Sequence, residues 1–179
     1  MEKIELNYRV DKLIISPSGD KIFAFVIHWG VNYNSSKFKI YAFKTKNGEE
    51  IWDYELKSSG LYIEIFDSKM VVFEERYSIV HILNIESGKL LKMFTLPIPN
   101  RYSGPFDKFL FLTKDLIFIK IQPEEKLKEI IFIATWDGKI LGTQEISKND
   151  FLSEIKLIPE KNGFVVVKEN KVELYEFGK

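Results

Sequence analysis

The chain has 179 residues, of which 45% are hydrophobic and 15% aromatic, and this length and composition predict one domain with a sizeable core. Its 26 basic residues are balanced by 26 acidic ones, whereas proteins that bind nucleic acids or anionic membranes usually carry an excess of basic residues. The absence of cysteine excludes disulfides and thiolate metal sites.

The N-terminus, MEKIELNYRV, has an acidic second residue and lacks the apolar stretch of a secretory signal peptide. The longest apolar runs, at residues 109–112 and 163–167, are far too short to cross a bilayer as helices. The sequence therefore predicts a soluble cytoplasmic protein. Abundant Lys, Glu and Ile with few Arg and Gln give a thermophile-like composition, although an AT-rich genome would produce part of the same pattern.

The predicted elements are strands, arranged along the chain in four groups with the same internal order. Each group joins two strands by a tight turn, continues through a longer connection, and then adds a strand before a glycine turn. Helical periodicity is absent, and the short stretch at 123–130 is predicted to be a loop or a single turn. In chain order the strands are predicted at residues 12–17, 21–27, 38–43 and 51–56; 61–66, 70–75, 78–85 and 90–96; 108–113, 116–121, 130–135 and 140–146; and 154–159, 164–169 and 171–177.

The turn glycines recur at regular intervals. Gly48, Gly88, Gly138 and Gly178 are separated by 40, 50 and 40 residues. In the first three groups a run of alternating apolar residues lies on each side of the glycine, which is a strong local signal for a β-hairpin. The fourth group stops one residue after Gly178, so its hairpin lacks a second strand.

Groups of about 40–50 residues with four antiparallel strands are typical of propeller blades. We therefore predict an all-β fold, a four-bladed β-propeller that forms a single domain over residues 1–179. The blades are predicted at about residues 12–56, 61–96, 107–146 and 154–179.

The hairpins AFKTKNGEEIWDYEL, LNIESGKLLKMFTL and ATWDGKILGTQEI resemble the PQQ-like, or quinoprotein-type, propeller repeat. That repeat has an apolar residue, Asp or Asn, two variable residues, Gly, Lys or Glu, two apolar residues and Trp. Trp52 matches the repeat tryptophan, whereas Lys92 and Gly142 stand in the corresponding region of the other two hairpins. The resemblance implies a propeller, but quinone-dependent dehydrogenases have larger rings. We therefore expect no quinone and no other cofactor.

The missing strand of the fourth group has a candidate at the other end of the chain. In residues 2–10 the apolar side chains of Ile4, Leu6 and Tyr8 alternate with polar ones, as in a half-buried strand. This segment is predicted to complete the last blade and close the ring, which would otherwise leave a sheet edge exposed. The alternative is a frayed N-terminal tail.

Binding residues are predicted on the propeller face that carries the long connections, because long loops on a rigid frame are usual binding sites. Aromatic and arginine side chains are the usual energetic anchors there. The alternative is that Trp29 and Tyr102 fold inward and cap the ring. The long connections are residues 28–37, 97–106, 122–128 and 147–153, and the candidate residues are His28, Trp29, Tyr33, Asn100, Arg101 and Tyr102.

The sequence lacks the spaced residues of known catalytic motifs. The sequence has no zinc-binding, EF-hand, nucleophile-elbow or phosphate-loop motif, so no catalytic residue is predicted. His81 lies in an apolar strand and is predicted to be a hydrogen-bonded sheet histidine rather than a ligand. Glu64, the charged residue in the predicted innermost strand 61–66, is a weak candidate for an axial metal site. The alternative is a carboxylate paired with a lysine.

Two functional hypotheses remain. The first is a non-catalytic protein-interaction or scaffold module that uses the long-loop face, with a protein partner and no nucleic acid or membrane. The second is a small-molecule-binding protein or enzyme with a site at the channel mouth on the same face, where His28, Asn100, Arg101 and Asp150 could supply polar groups. The oligomeric state stays open, with a monomer favoured.

Deletion of residues 1–10 tests the predicted ring closure. If this segment completes the last blade, its loss exposes a sheet edge and an apolar face, and the melting temperature should fall severely. Circular dichroism during heating measures the change. A truncated protein that melts like the full chain would show that the segment is a tail.

Overall fold

The computed structural model describes residues 9–30, 36–98, 109–121, 128–147, 154–158, 163–168 and 171–176. These residues form fifteen strands and one turn of 3₁₀ helix at Glu75–Tyr77, which confirms the predicted all-β class. The described residues contain no helix that is long and apolar enough to span a membrane. The chain divides into two compact units, Met1–Thr95 and Leu96–Lys179.

The first unit contains two four-stranded antiparallel sheets in which neighbouring strands follow each other in sequence. Sheet 1 consists of β1 (Arg9–Ile15), β2 (Lys21–His28), β3 (Lys37–Lys44) and β4 (Glu50–Leu56). Sheet 2 consists of β5 (Leu61–Phe66), β6 (Lys69–Glu74), β7 (Ile79–Asn84) and β8 (Leu90–Thr95).

The second unit also contains two antiparallel sheets with strands in sequence order. Sheet 3 consists of β9 (Phe109–Leu112), β10 (Leu116–Ile121), β11 (Lys128–Thr135) and β12 (Ile140–Ser147). Sheet 4 consists of β13 (Glu154–Ile158), β14 (Gly163–Lys168) and β15 (Lys171–Glu176). Each of the fifteen strands predicted within the four groups thus has a counterpart.

The first strand differs from the prediction. β1 begins at Arg9, and Arg9 and Val10 pair with Ile27 and Val26 of β2. A bulge at Asp11 lets the strand continue past the point where the alternation breaks. Assigning these two residues to a separate N-terminal strand was therefore wrong.

The predicted ring closure depends on residues 2–8, which lie outside the described part of the chain. Within the described part, β15 pairs with β14 alone, so a fourth strand of sheet 4 is not seen there. Closure and the single-domain assignment stay predictions. Because β1 starts at Arg9, deleting residues 1–8 tests closure without shortening β1.

The turn glycines lie where the repeat predicts them. Gly48, Gly88 and Gly138 have φ values of +70°, +67° and +84°, a region that residues with a Cβ rarely adopt. Beside each turn the third and fourth strands of the sheet shift register by one residue, which marks a β-bulge. The same turn geometry therefore repeats in sheets 1, 2 and 3, while Gly178 lies outside the described residues.

Sheets 1 and 2 pack face to face around the largest core of the first unit. Alternate residues of β2, namely Phe23, Phe25 and Ile27, point into it, as the period-two geometry of a strand requires. Their burial is the main favourable contribution, about 1.5–3 kcal/mol for each large side chain. The cluster consists of Phe23, Phe25, Ile27, Phe38, Ile40, Ala42, Trp52 and Leu56 from sheet 1 and Ile63, Met70, Val72, Leu83 and Ile85 from sheet 2.

Polar contacts join sheets 1 and 2 at the end of the first unit that carries the tight turns. The indole Nε1 of Trp52 donates to the carbonyl of Ile85 over 3.0 Å, so the ring is buried with its polar atom satisfied. Nζ of Lys21 lies 2.9 Å from Oε2 of Glu86, and this ion pair connects sheet 1 to the β7–β8 turn of sheet 2. The Trp52 ring also lies against Gly88, where an added Cβ would come within 2.6 Å of the indole.

The second unit has its own core between sheets 3 and 4. Phe118 and Phe164 meet edge to face with ring centroids 6.0 Å apart, and Phe164 stacks on Tyr175 at 4.9 Å. A buried ion pair, Lys120 Nζ to Glu129 Oε1 at 2.8 Å, joins β10 to β11. Within the described part of the chain, the other oxygen of Glu129 is buried without a hydrogen-bond partner.

Replacement of Gly88 by alanine should destabilise the protein more than the same change at Gly19. Both glycines have positive φ, which costs an alanine roughly 1–2 kcal/mol in either place. Only at Gly88 would the new Cβ collide with Trp52, and we expect a further ~1–3 kcal/mol from overpacking, whereas Gly19 has open space. Urea unfolding measures both free energies, and equal losses would contradict the role of the Trp52 contact.

Candidate functional site

His28 is the last residue of β2 and is half-buried. Its Nε2 lies 3.2 Å from the hydroxyl of Tyr41, and the two rings are 6.2 Å apart. Partial burial, with the positive charges of Lys39 and Lys37, lowers the pKa of His28 below its ordinary value. The imidazole is therefore neutral at pH 7 and serves as a hydrogen-bonding group.

Trp29, directly after β2, is 58% exposed. The guanidinium of Arg9 lies 5.9 Å from the centre of its ring, a distance at which a cation is attracted to the aromatic face. Arg9 is available there because β1 begins where β2 ends. The ring is therefore exposed rather than folded inward, and its role in binding stays a prediction.

A second pair of the same kind was missed by the sequence analysis. Tyr77 is 43% exposed, and the guanidinium of Arg76 lies 5.9 Å from its ring centre. Both residues belong to the 3₁₀ turn between β6 and β7. The sequence does contain a signal, an adjacent Arg and Tyr between two apolar strands, but the connection is short, and short turns seldom carry binding residues.

Contacts between the sheets place the two pairs at one end of the first unit. The backbone N–H groups of Lys57 and Ser58, which follow β4, both donate to Oε2 of Glu74 over 2.8 Å. Glu74 is the last residue of β6, and β2 ends on the same side of sheet 1 as β4. The β2–β3 and β6–β7 connections therefore begin at the same end of the first unit, and we call this the loop end, defined by Arg9, His28, Trp29, Arg76 and Tyr77.

The other predicted binding residues, Tyr33, Asn100, Arg101 and Tyr102, lie outside the described residues. Whether they join the loop end stays a prediction.

His81 is buried and hydrogen-bonded, as predicted for a sheet histidine. Its Nε2 lies 2.6 Å from Oε1 of Glu74, and its Nδ1 lies 3.0 Å from the hydroxyl of Tyr54 on sheet 1. Nε2–H of His81 donates to the carboxylate, and Nδ1 shares a hydrogen bond with the tyrosine hydroxyl. With the Ser58 hydroxyl also donating to Glu74, these side chains form a polar network that links the sheets.

The charges of this network are shifted by their surroundings. Burial would raise the pKa of Glu74, but the hydrogen bonds from His81, Lys57 and Ser58 outweigh it, so the pKa of the carboxyl lies below its usual range. Burial, and then the charge of Glu74, raise the pKa of Tyr54. The Glu74 carboxylate is thus ionised and fully hydrogen-bonded. The network therefore serves to hold sheets 1 and 2 together.

Glu64, the weak metal candidate, is exposed on β5. Partial desolvation raises the pKa of its carboxyl, and the positive charge of Lys12 opposes that shift. Nζ of Lys12 donates to the carbonyl of Ile63, so a lysine does lie beside this strand. Among the described residues, no cluster of three His, Asp or Glu could hold a metal ion.

Neither a protein-family model nor a curated protein sequence matches the chain. Solved structures do match. The computationally designed Ika4 protein aligns with a TM-score of 0.61 and 12% identity, over 97% of this chain and 94% of that one. The β-propeller domain of Cps50 (Swd1) from Myceliophteria thermophila aligns with a TM-score of 0.62 and 9% identity, over 96% of this chain and 55% of that one.

BamB from Moraxella catarrhalis aligns with a TM-score of 0.56 and 16% identity, over 90% of this chain and 48% of that one. The chain thus spans about half the length of the BamB and Swd1 structures. These neighbours are β-propellers, and the four antiparallel sheets share their fold. The likeness is one of fold alone, so the PQQ-like character of the repeats stays a resemblance and the closed ring of four stays a prediction.

Replacement of Glu74 by glutamine should weaken folding at neutral pH. The change removes charge-assisted hydrogen bonds, which are worth about 1.5–3 kcal/mol each. Because the pKa of Glu74 is lowered on folding, its contribution is complete above the unfolded value near 4.5 and fades as the pH falls through the lower folded value. The difference between wild type and variant should therefore shrink below about pH 4.5 in urea unfolding.

Glu49→Gln is the matched control. Glu49 is an exposed carboxylate 2.8 Å from Nζ of Lys44, and its loss should leave the free energy of unfolding nearly unchanged. A difference for Glu74→Gln that stays constant from pH 7 to acid would contradict an ionised, stabilising Glu74.

Proposed function

We propose that the chain is a non-catalytic protein-interaction module that binds its partner through the loop end of the first unit. The observation that carries the proposal is Trp29, a large aromatic side chain that is 58% exposed beneath the guanidinium of Arg9. Tryptophan, tyrosine and arginine are the residue types that most often supply the energetic centre of a protein interface.

The contacts around Trp29 favour binding over simple exposure. Arg9 restricts the indole, and Arg76 restricts Tyr77 in the same way, so less side-chain entropy remains to be lost when a partner covers them. His28 adds a neutral group that can donate or accept hydrogen bonds at the base of Trp29. Two exposed aromatic rings, each beside an arginine, and a polar group therefore lie at the same end of the first unit.

The fold and the charge support a protein partner. Propellers resembling the structural neighbours often act as protein-interaction modules, which is a fold-level analogy. The formal net charge of zero argues against a nucleic-acid partner. Asn100, Arg101, Tyr102 and Tyr33 are proposed to extend the same surface.

A capture experiment with Trp29→Ala tests the proposal. Tagged wild type and variant are recovered from their native cells after mild crosslinking, and mass spectrometry identifies bound proteins and small molecules together. We expect a protein whose recovery falls about tenfold or more in Trp29→Ala, because removal of an interface anchor has an effect of that size. The melting temperature should stay unchanged, since the ring is exposed.

Ile15→Ser provides the control. Ile15 is 64% exposed, like Trp29, but lies at the other end of β1. It should retain the partner. Equal capture by wild type and Trp29→Ala would contradict the role of the loop end, and a retained small molecule without a protein would favour the ligand-binding alternative.

A further inference from the structure

The edge strand β8 of sheet 2 exposes an unusual number of apolar side chains. Leu90, Leu91 and Met93 of β8 are 38%, 48% and 50% exposed. Within the described part of the chain, β8 pairs only with β7, so the N–H and C=O groups along its other edge meet no neighbouring strand there. An open edge with exposed apolar side chains is a template for a further strand.

The corresponding edge strands of sheets 1 and 3, β4 and β12, carry exposed polar residues that discourage pairing with another strand. β4 has exposed Glu50, Asp53 and Glu55 between side chains that are buried or half-buried. In β12, between Leu141 and Glu145, the exposed residues that follow Leu141 are Thr143 and Glu145. Charged and polar side chains of this kind discourage pairing with another chain, and β8 lacks the acidic ones.

The charge of this edge is positive. Lys92 is the ionisable residue of β8, and it is exposed in the middle of the strand. Neither β7 nor β8 contains an acidic residue. Glu86 in the turn between them is paired with Lys21. A strand added here would meet apolar side chains and an ammonium group.

We propose that β8 binds an extended segment of a partner protein in which apolar and acidic residues alternate. The segment forms a fifth strand of sheet 2, with backbone hydrogen bonds along the edge, apolar contacts to Leu91 and Met93, and a carboxylate near Lys92. A second copy of β8 fits less well, because it would add another lysine and no carboxylate. This surface shares no residue with the loop end.

A fluorescent peptide of alternating valine and glutamate is the probe, and one of alternating valine and lysine is its counterpart. Fluorescence anisotropy should show saturable binding of the acidic peptide to the full chain and no binding of the basic one. Lys92→Glu should weaken the acidic peptide about tenfold or more and create binding of the basic one, because like charges facing each other across strands repel. Hydrogen exchange of the β8 amides should slow when the acidic peptide is bound.

Leu91→Asp and Leu141→Asp form a matched pair of variants. Both leucines are 48% exposed, and each is the extra residue of the bulge beside a turn glycine. Leu91→Asp should lose the acidic peptide, and Leu141→Asp should keep it. No saturable binding up to about 1 mM, the weak end of specific affinity, overturns the proposal.

Equal losses from the two leucine variants would also overturn it, as would a Lys92→Glu variant with unchanged preference. A concentration-dependent dimer that Leu91→Asp abolishes would identify a second copy as the occupant instead.

Discussion

The packing of sheet 1 on sheet 2 is the constraint on which the rest of the first unit depends. It is held at both ends by directional hydrogen bonds between the sheets. At the tight-turn end Trp52 lies against Gly88 and donates to Ile85. At the loop end Glu74 receives the backbone N–H groups that follow β4 and binds His81. An apolar core alone would tolerate sliding of the sheets, whereas these directional bonds do not.

Local patterns were enough to predict the strands and the glycine turns, because alternation and positive φ are properties of short segments. The position of Trp29 also followed, since it ends a clear apolar run. The hydrogen bond from Tyr54 to His81 could not be foreseen, because it joins sheets whose alignment is set by packing. The boundary at Arg9 was missed because a bulge interrupts the alternation that defines a strand.

In this protein the buried residues determine the fold, whereas the exposed residues are free to vary with function. Identities of 9–16% to propellers of known structure suffice for the fold, because buried positions require only apolar side chains at period two. The loop end and the β8 edge are under no such requirement. Their exposed tryptophan, arginines and leucines are therefore the positions at which we propose that partners bind.

Trp29 and Trp52, two of the chain's three tryptophans, lie in different surroundings and can serve as separate optical labels. The indole of Trp52 is 9% exposed and lies in apolar surroundings, so we expect its emission to lie toward the blue and to resist aqueous quenchers. Trp29 is open to water at the loop end, where iodide or acrylamide reaches it freely. Once the half-buried Trp136 is replaced by phenylalanine, selective quenching can therefore separate a signal from the junction of sheets 1 and 2 from one at the surface, without attaching any dye.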